Sequence, residues 1–136
     1  MDETLNVLVV DDEAILRNLL DKILKREGYS VFLAQSAMEA LQTLSDNKID
    51  IVLSDVKMPE MDGFALLRKI KEEHPGVGTI MMTGYEDAFS VKDALLLGAD
   101  DYITKPFKSI EVSMIIERAY WRSLANKRKA ESTLRQ

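Results

Sequence analysis

The sequence predicts an α/β fold, a doubly wound five-stranded parallel sheet in the order 2-1-3-4-5 with an extended C-terminal helix, and three observations carry that prediction. Short runs rich in Val, Ile and Leu, such as Leu5 to Val10 and Ile49 to Ser54, suit strands buried on both faces better than strands with one wet face. Between the runs, apolar residues recur at helical spacing, with connections of only a few residues, so strand and helix alternate along the chain. Polar residues close four of the runs: Asp11 and Asp12, Asp55, Thr83, and Lys105 before Pro106. In an open α/β sheet the carboxyl ends of the strands form the ligand crevice, so residues far apart in sequence converge on one site.

Each element follows in turn. After the first strand, Ile15, Leu16, Leu19, Leu20, Ile23 and Leu24 repeat at helical spacing, and Gly28 supplies a left-handed stop. Ser30 to Ala34 forms a second short strand. Ser36 with Glu39 three residues later makes a capping box, behind which Ala37, Ala40, Leu41 and Leu44 face one way. The third strand runs into Asp55, and Asp62 caps a third helix bearing Phe64, Leu67 and Ile70, which ends before Pro75-Gly76. The fourth strand, Thr79 to Met82, leads to Thr83, and residues 86 to 97 make a fourth helix closed by Gly98. The fifth strand, Asp101 to Thr104, leads to Lys105, and a fifth helix starts near Ser109 with Val112, Ile115, Ile116 and Ala119 as its buried stripe. Right-handed crossovers make this a (βα)5, flavodoxin-like sheet with helices on both faces. Helical periodicity continues through Tyr120, Trp121, Leu124 and Leu134, which divides the chain into a domain over residues 1–121 and a basic helical extension or linker over 122–136.

Composition narrows the function. A chain of 136 residues is one ordinary domain, long enough to bury a core. It has no cysteine, which removes disulfides and thiolate metal sites. Its apolar runs are far shorter than a membrane span, and it opens without a secretory pattern, so a cytoplasmic location is the expectation. Residues 122–136 hold five bases and one acid, a net +4, whereas the first 121 residues hold 13 bases and 22 acids, a net −9. An acidic body argues against direct nucleic-acid binding.

The crevice favours phosphoryl chemistry. Three carboxylates brought close together repel one another, and a divalent cation removes that cost. Oxygen-rich, thiol-free surroundings select a hard ion, and Mg2+ is the usual choice where a phosphoryl group also binds. An ammonium and a hydroxyl on neighbouring strand ends suit phosphoryl oxygens. An Asp carboxylate is a nucleophile toward phosphorus, forming an aspartyl phosphate. The residues also allow plainer roles: Asp11 as a helix cap, Asp55 as a loop acid, Thr83 as a β-branched strand residue, Lys105 as a surface lysine.

Four stretches in order, Val9 to Glu13, Asp55 to Gly63, Met82 to Gly84, and Gly98 to Phe107, resemble the receiver (REC) domain of the two-component response-regulator family over about Asn6 to Trp121. The resemblance implies Asp55 as phosphoacceptor. It implies Mg2+ held by Asp11, Asp12 and Asp55 with the main-chain carbonyl of Lys57, and phosphoryl contacts from Thr83 and Lys105. It also implies a cis Lys105-Pro106 bond, and Thr83 with Tyr102 as the switch that remodels the fourth helix, fifth strand and fifth helix. Such a protein catalyses its own phosphorylation and dephosphorylation but is a switch more than a turnover enzyme. Its expected partners are a histidine kinase or phosphotransfer protein and a downstream output domain or protein. The style of residues 83–87 is similar to receivers of transcription regulators with an ATPase module. A homodimer through the last helix stays open, since Trp121, Leu124 and Leu134 are too few for a heptad repeat.

Tyr85, two residues after Thr83, is expected to obstruct in-line water and so to slow loss of the phosphoryl group. The single histidine, His74, is given no transfer role. A haloacid-dehalogenase-type phosphatase would need a second Asp where Lys57 stands, and a flavodoxin-like FMN carrier would need a phosphate loop where Asp11-Asp12-Glu13 stands. A phosphorylation-independent pseudo-receiver scaffold is the remaining alternative, because one fold supports many functions.

Overall fold

The computed structural model describes residues 4–84 and 91–135. Strands and helices alternate in the order β1 (Asn6–Val10), α1 (Ala14–Arg26), β2 (Ser30–Ala34), α2 (Ala37–Asp46), β3 (Ile51–Asp55), α3 (Gly63–Glu73), β4 (Gly78–Gly84), α4 (Val91–Leu96), β5 (Asp101–Lys105) and α5 (Ser109–Arg135). The five strands pair in parallel as β2-β1-β3-β4-β5. This is the predicted sheet, and the apolar runs carry it because strands covered on both faces have no wet side to alternate toward.

The two-residue period of the strands sorts the core into layers. Val7, Val9, Ile51, Leu53, Ile80, Met82 and Ile103 point to one face, where Leu20, Ile23 and Leu24 of α1 and Val112, Ile116 and Ala119 of α5 cover them. Leu8, Val10 and Val52 point to the other, under Ala37, Ala40 and Leu44 of α2 and Leu66 and Ile70 of α3. Met81 continues that face with Val56, Phe64, Leu67 and Ala94.

Local signals behave as their chemistry requires. Ser36 caps α2 by accepting from the Glu39 N–H at 3.1 Å, and Asp62 caps α3 by accepting from Ala65 N–H at 2.9 Å. Gly28, at φ 93°, ends α1 with its N–H on the Lys25 carbonyl and the Tyr29 N–H on the Leu24 carbonyl, a Schellman arrangement. Gly98 follows α4 at φ 95°. The expected start of the fourth helix falls partly on residues 86–90, outside the described residues.

The stripe of α1 is narrower than its periodicity suggests. Ile15 and Leu19 are 86% and 48% exposed, while Leu20, Ile23 and Leu24 are buried. Leu16 packs against the core with Leu20, Ile23 and Leu24, whereas Ile15 and Leu19, four residues apart, lie together on a flank that faces away from it. At the other terminus α5 runs without a break past Trp121, and Arg122, Ser123 and Asn126 still bond to the body.

Candidate phosphoryl and cation site

Parallel pairing brings the ends of β1, β3, β4 and β5 together. Val10 lies beside Ser54, Asp55 beside Met82, and Thr83 and Gly84 beside Thr104 and Lys105. The acidic turn after β1, the end of β3 and the end of β5 therefore meet at one edge of the sheet. Asp11 is fully buried, Asp55 is buried and Asp12 is exposed, and the three offer carboxylate oxygens within 4.8 Å of one another.

Lys105 lies between the two buried acids, its Nζ 3.2 Å from Asp55 Oδ2 and 3.6 Å from Asp11 Oδ2. Asp55 Oδ1 accepts a long bond from the Lys57 N–H at 3.3 Å, and Asp11 Oδ1 accepts the Glu13 N–H at 2.8 Å. Asp11 is not the cap of α1, whose N-cap residue is Glu13 with no side-chain cap bond; its Oδ1 only closes the local turn before the helix. Its Oδ2 is buried with no hydrogen-bond partner, and the lysine stands too far away to supply one. Thr83 is buried at the end of β4, and Tyr102 is half-buried on β5. The Lys105-Pro106 bond is cis.

Electrostatics show what this arrangement lacks. Burial raises the Asp11 carboxyl above its ordinary value, against the lowering effects of the Glu13 N–H and of Lys105. Burial likewise raises Asp55 despite Lys105, with Asp11 adding to the rise. For Lys105 burial works to lower the pKa, but Asp55 and Asp11 outweigh it and hold the ammonium above its usual range. One lysine thus leaves two buried carboxylates under-compensated.

These residues fit a hard divalent cation. The donors are all oxygen, one is an orphaned buried carboxylate oxygen, and the local charge is negative. Their oxygens lie within 4.8 Å of one another, so Asp11, Asp12 and Asp55 would hold one such ion between them.

Two supporting residues escaped the sequence. Arg17 on α1 donates Nη1 to the Asp11 carbonyl at 2.8 Å, holding the acidic turn; nothing in its pattern separates it from a surface arginine. Gly63, visible only as the end of a motif, lets α3 approach the site. A Cβ there would stand 2.2 Å from the Asp55 carbonyl oxygen and 2.9 Å from Val56 Cα. Its N–H bonds to the Val56 carbonyl at 2.8 Å, so α3 starts directly against the loop that follows Asp55. Tyr85 lies outside the described residues.

The fold and this strand-end cluster of acids are those of a receiver domain, and comparison with known proteins agrees. The response regulator receiver domain model matches residues 7–117, and the chain belongs to that family. It is 38% identical over 131 residues to the DNA-binding transcriptional regulator NtrC of Proteus hauseri, covering 95% of this chain and 28% of that protein. A response regulator receiver domain protein from Clostridium thermocellum superposes with a TM-score of 0.83 at 32% identity, covering 89% of this chain and 98% of the other. NtrX from Brucella abortus superposes at 0.86 and 33% identity, covering 95% of this chain and 29% of NtrX. The chain spans about a quarter of the length of the curated relatives it matches. Among the described residues no helix is long and apolar enough to cross a membrane.

Proposed function

We propose that the chain accepts a phosphoryl group on Asp55 from a partner histidine kinase or phosphotransfer protein, in a Mg2+-dependent reaction, and signals through its α4-β5-α5 surface. The observation that carries this reading is the placement of Lys105 between Asp55 and an Asp11 whose second oxygen has no hydrogen-bond partner. A site built only for stability would pair that oxygen, since an orphaned buried acceptor costs about 1–3 kcal/mol.

An Asp55 carboxylate oxygen attacks phosphorus as the phosphorus–nitrogen bond of a phosphohistidine breaks. The imidazole nitrogen leaves with the bonding electrons and takes a proton, and the new bond is an acyl phosphate. Asp11, Asp12 and Asp55, with the Lys57 carbonyl, would hold the cation. When bound, Mg2+ supplies charge compensation to the equatorial oxygens of the transferring group. Lys105 pairs with one phosphoryl oxygen, and the Thr83 hydroxyl donates to another. Drawing Thr83 toward the phosphate opens room behind it, which the Tyr102 ring turns in to fill. A preference of about 1.4 kcal/mol between the two states changes their ratio tenfold.

The output is read from relatives. The NtrC match is a DNA-binding transcriptional regulator, and an acidic body makes an attached module, rather than this domain, the part that would meet DNA. We place the domain boundary near 121, with 122–136 as the helical linker toward such a module.

Incubation with Mg2+ and a small phosphodonor, followed by intact mass measurement, tests the reading. A single phosphoryl adduct that requires Mg2+ and is missing in Asp55→Asn supports it. A folded protein that takes no adduct under any of these conditions is a phosphorylation-independent scaffold instead.

A further inference from the structure

Two buried carboxylates that the phosphoryl site does not use stand together at the opposite end of β5. Asp101 is 1% exposed. Its Oδ2 accepts Arg118 Nε and lies 3.2 Å from Arg122 Nη1. Its Oδ1 is shared between Arg118 Nη2 and the backbone N–H of Tyr102, each at 2.9 Å. One side chain therefore fixes both the backbone of the proposed switch residue and a cation of α5.

Asp100 extends the contact down the helix. Its carbonyl accepts Arg122 Nη1 at 2.8 Å and its Oδ1 accepts Asn126 Nδ2 at 3.4 Å, while its Oδ2 is held by the Thr79 N–H and by Lys71. Arg118, Arg122 and Asn126 are four residues apart, so they form one stripe of α5 facing the start of β5. Arg118 also borders a groove of about 350 Å³ shared with Tyr102, Ile103, Thr104 and Met114. Ser123 adds a contact to the Gly76 carbonyl at 3.4 Å. The grip runs through the residues that compositional charge marks as the start of a separate basic tail.

We propose that Asp101, by gripping Arg118 and Arg122 while holding the Tyr102 backbone, is the joint that sets the direction of the α5 extension and makes it move with β5. The static part of this joint stands on geometry alone; its response to phosphorylation rests on the function proposed above. Arg118 and Arg122 are about half exposed, so their loss removes the grip without opening the core. Their loss also leaves the Asp101 carboxylate buried without a cation, which lowers stability, so each variant is first shown to be folded.

The absence of cysteine permits a clean spin-label pair at the exposed Ser45 and Arg128. Pulsed electron resonance distances would be taken on the full chain, before and after phosphoramidate with Mg2+, with intact mass read on the same samples. The joint requires one narrow distance in the unmodified protein, a shifted one in the adduct, and loss of both the narrow distance and the shift in Arg118→Met/Arg122→Met, which still forms the adduct. Partial recovery is expected in Arg118→Lys/Arg122→Lys, which keeps charge but not the forked geometry. A double Met variant with the wild-type narrow distance overturns the joint. Absence of adduct in the wild type counts against the phosphoryl reading alone, because the widths in unmodified protein still decide the static part. If the double variant does not fold, Arg122→Met alone is read by the same criterion.

Discussion

Asp11 and Asp55 show how one residue's cost becomes its use. Their carboxyls are raised by burial, so the folded state binds protons more tightly than the unfolded chain. The sign follows directly: their contribution to stability falls as pH rises from about the ordinary 3.8 through the raised values, and stays low at neutrality. Lys105 acts oppositely, its contribution being full below the ordinary 10.5 and lost as pH climbs through its raised value. Asp55→Asn without divalent cation should therefore melt higher than wild type at pH 7, with the gap closing toward pH 4; scanning calorimetry across that range checks it. A variant that melts lower at pH 7 would show that the pair with Lys105 outweighs burial. Gly63 makes a second residue-scale prediction. Gly63→Ala drives a methyl into backbone atoms that have no rotamer to change, and such overpacking costs about 1–3 kcal/mol. Because the clash is with the Asp55 carbonyl, the rate of adduct formation should fall along with the melting temperature. Glu60 sits at φ 69° in the same loop without being glycine. Glu60→Val should cost about 1–3 kcal/mol in denaturant melts, since a β-branched residue resists the left-handed region.

At the scale of elements, the helices divide into those that cover the sheet and one that outgrows it. One flank of α1 leaves Ile15 and Leu19 uncovered, and Ile15→Ser should change stability by less than about 0.5 kcal/mol by chemical denaturation, as exposed positions do. Periodicity alone made those residues members of a buried stripe, because a helix repeats its apolar positions whether or not a sheet lies beneath each one. The caps of α2 and α3 and the glycine stop of α1 were legible for the converse reason. Ser36, Asp62 and Gly28 satisfy backbone groups within three residues of themselves, so no distant partner is needed to read them. Helix α5 was legible in its upper half through Val112, Ile116 and Ala119. The helical continuation below Ala119 was legible too, but its packing was not, since Arg122 and Asn126 look like solvated polar residues until Asp100 is placed against them.

For the whole molecule, the proposed cation site would link metal binding to folding. A cation that binds the folded acidic site and not the unfolded chain stabilises by about 2.7 kcal/mol at a hundred times its Kd. Mg2+ should raise the melting temperature of the wild type, less so in Asp11→Asn, and the effect should fade as pH drops through the raised carboxyl values, above the range of ordinary aspartates. A Mg2+ response that persists unchanged in Asp11→Asn would place the ion elsewhere. The alternation of elements, the buried character of the strands and the list of strand-end residues were determined by the sequence itself, because period, apolar run length and capping act over a few neighbouring positions. Only the tertiary structure decided that Asp11 Oδ2 lacks a hydrogen bond, that Gly63 admits α3 to the Asp55 loop, and that Asp101 ties Tyr102 to α5. Those facts depend on which atoms from different strands and helices come within a few ångströms, and that is set by register and packing between segments that share no local pattern.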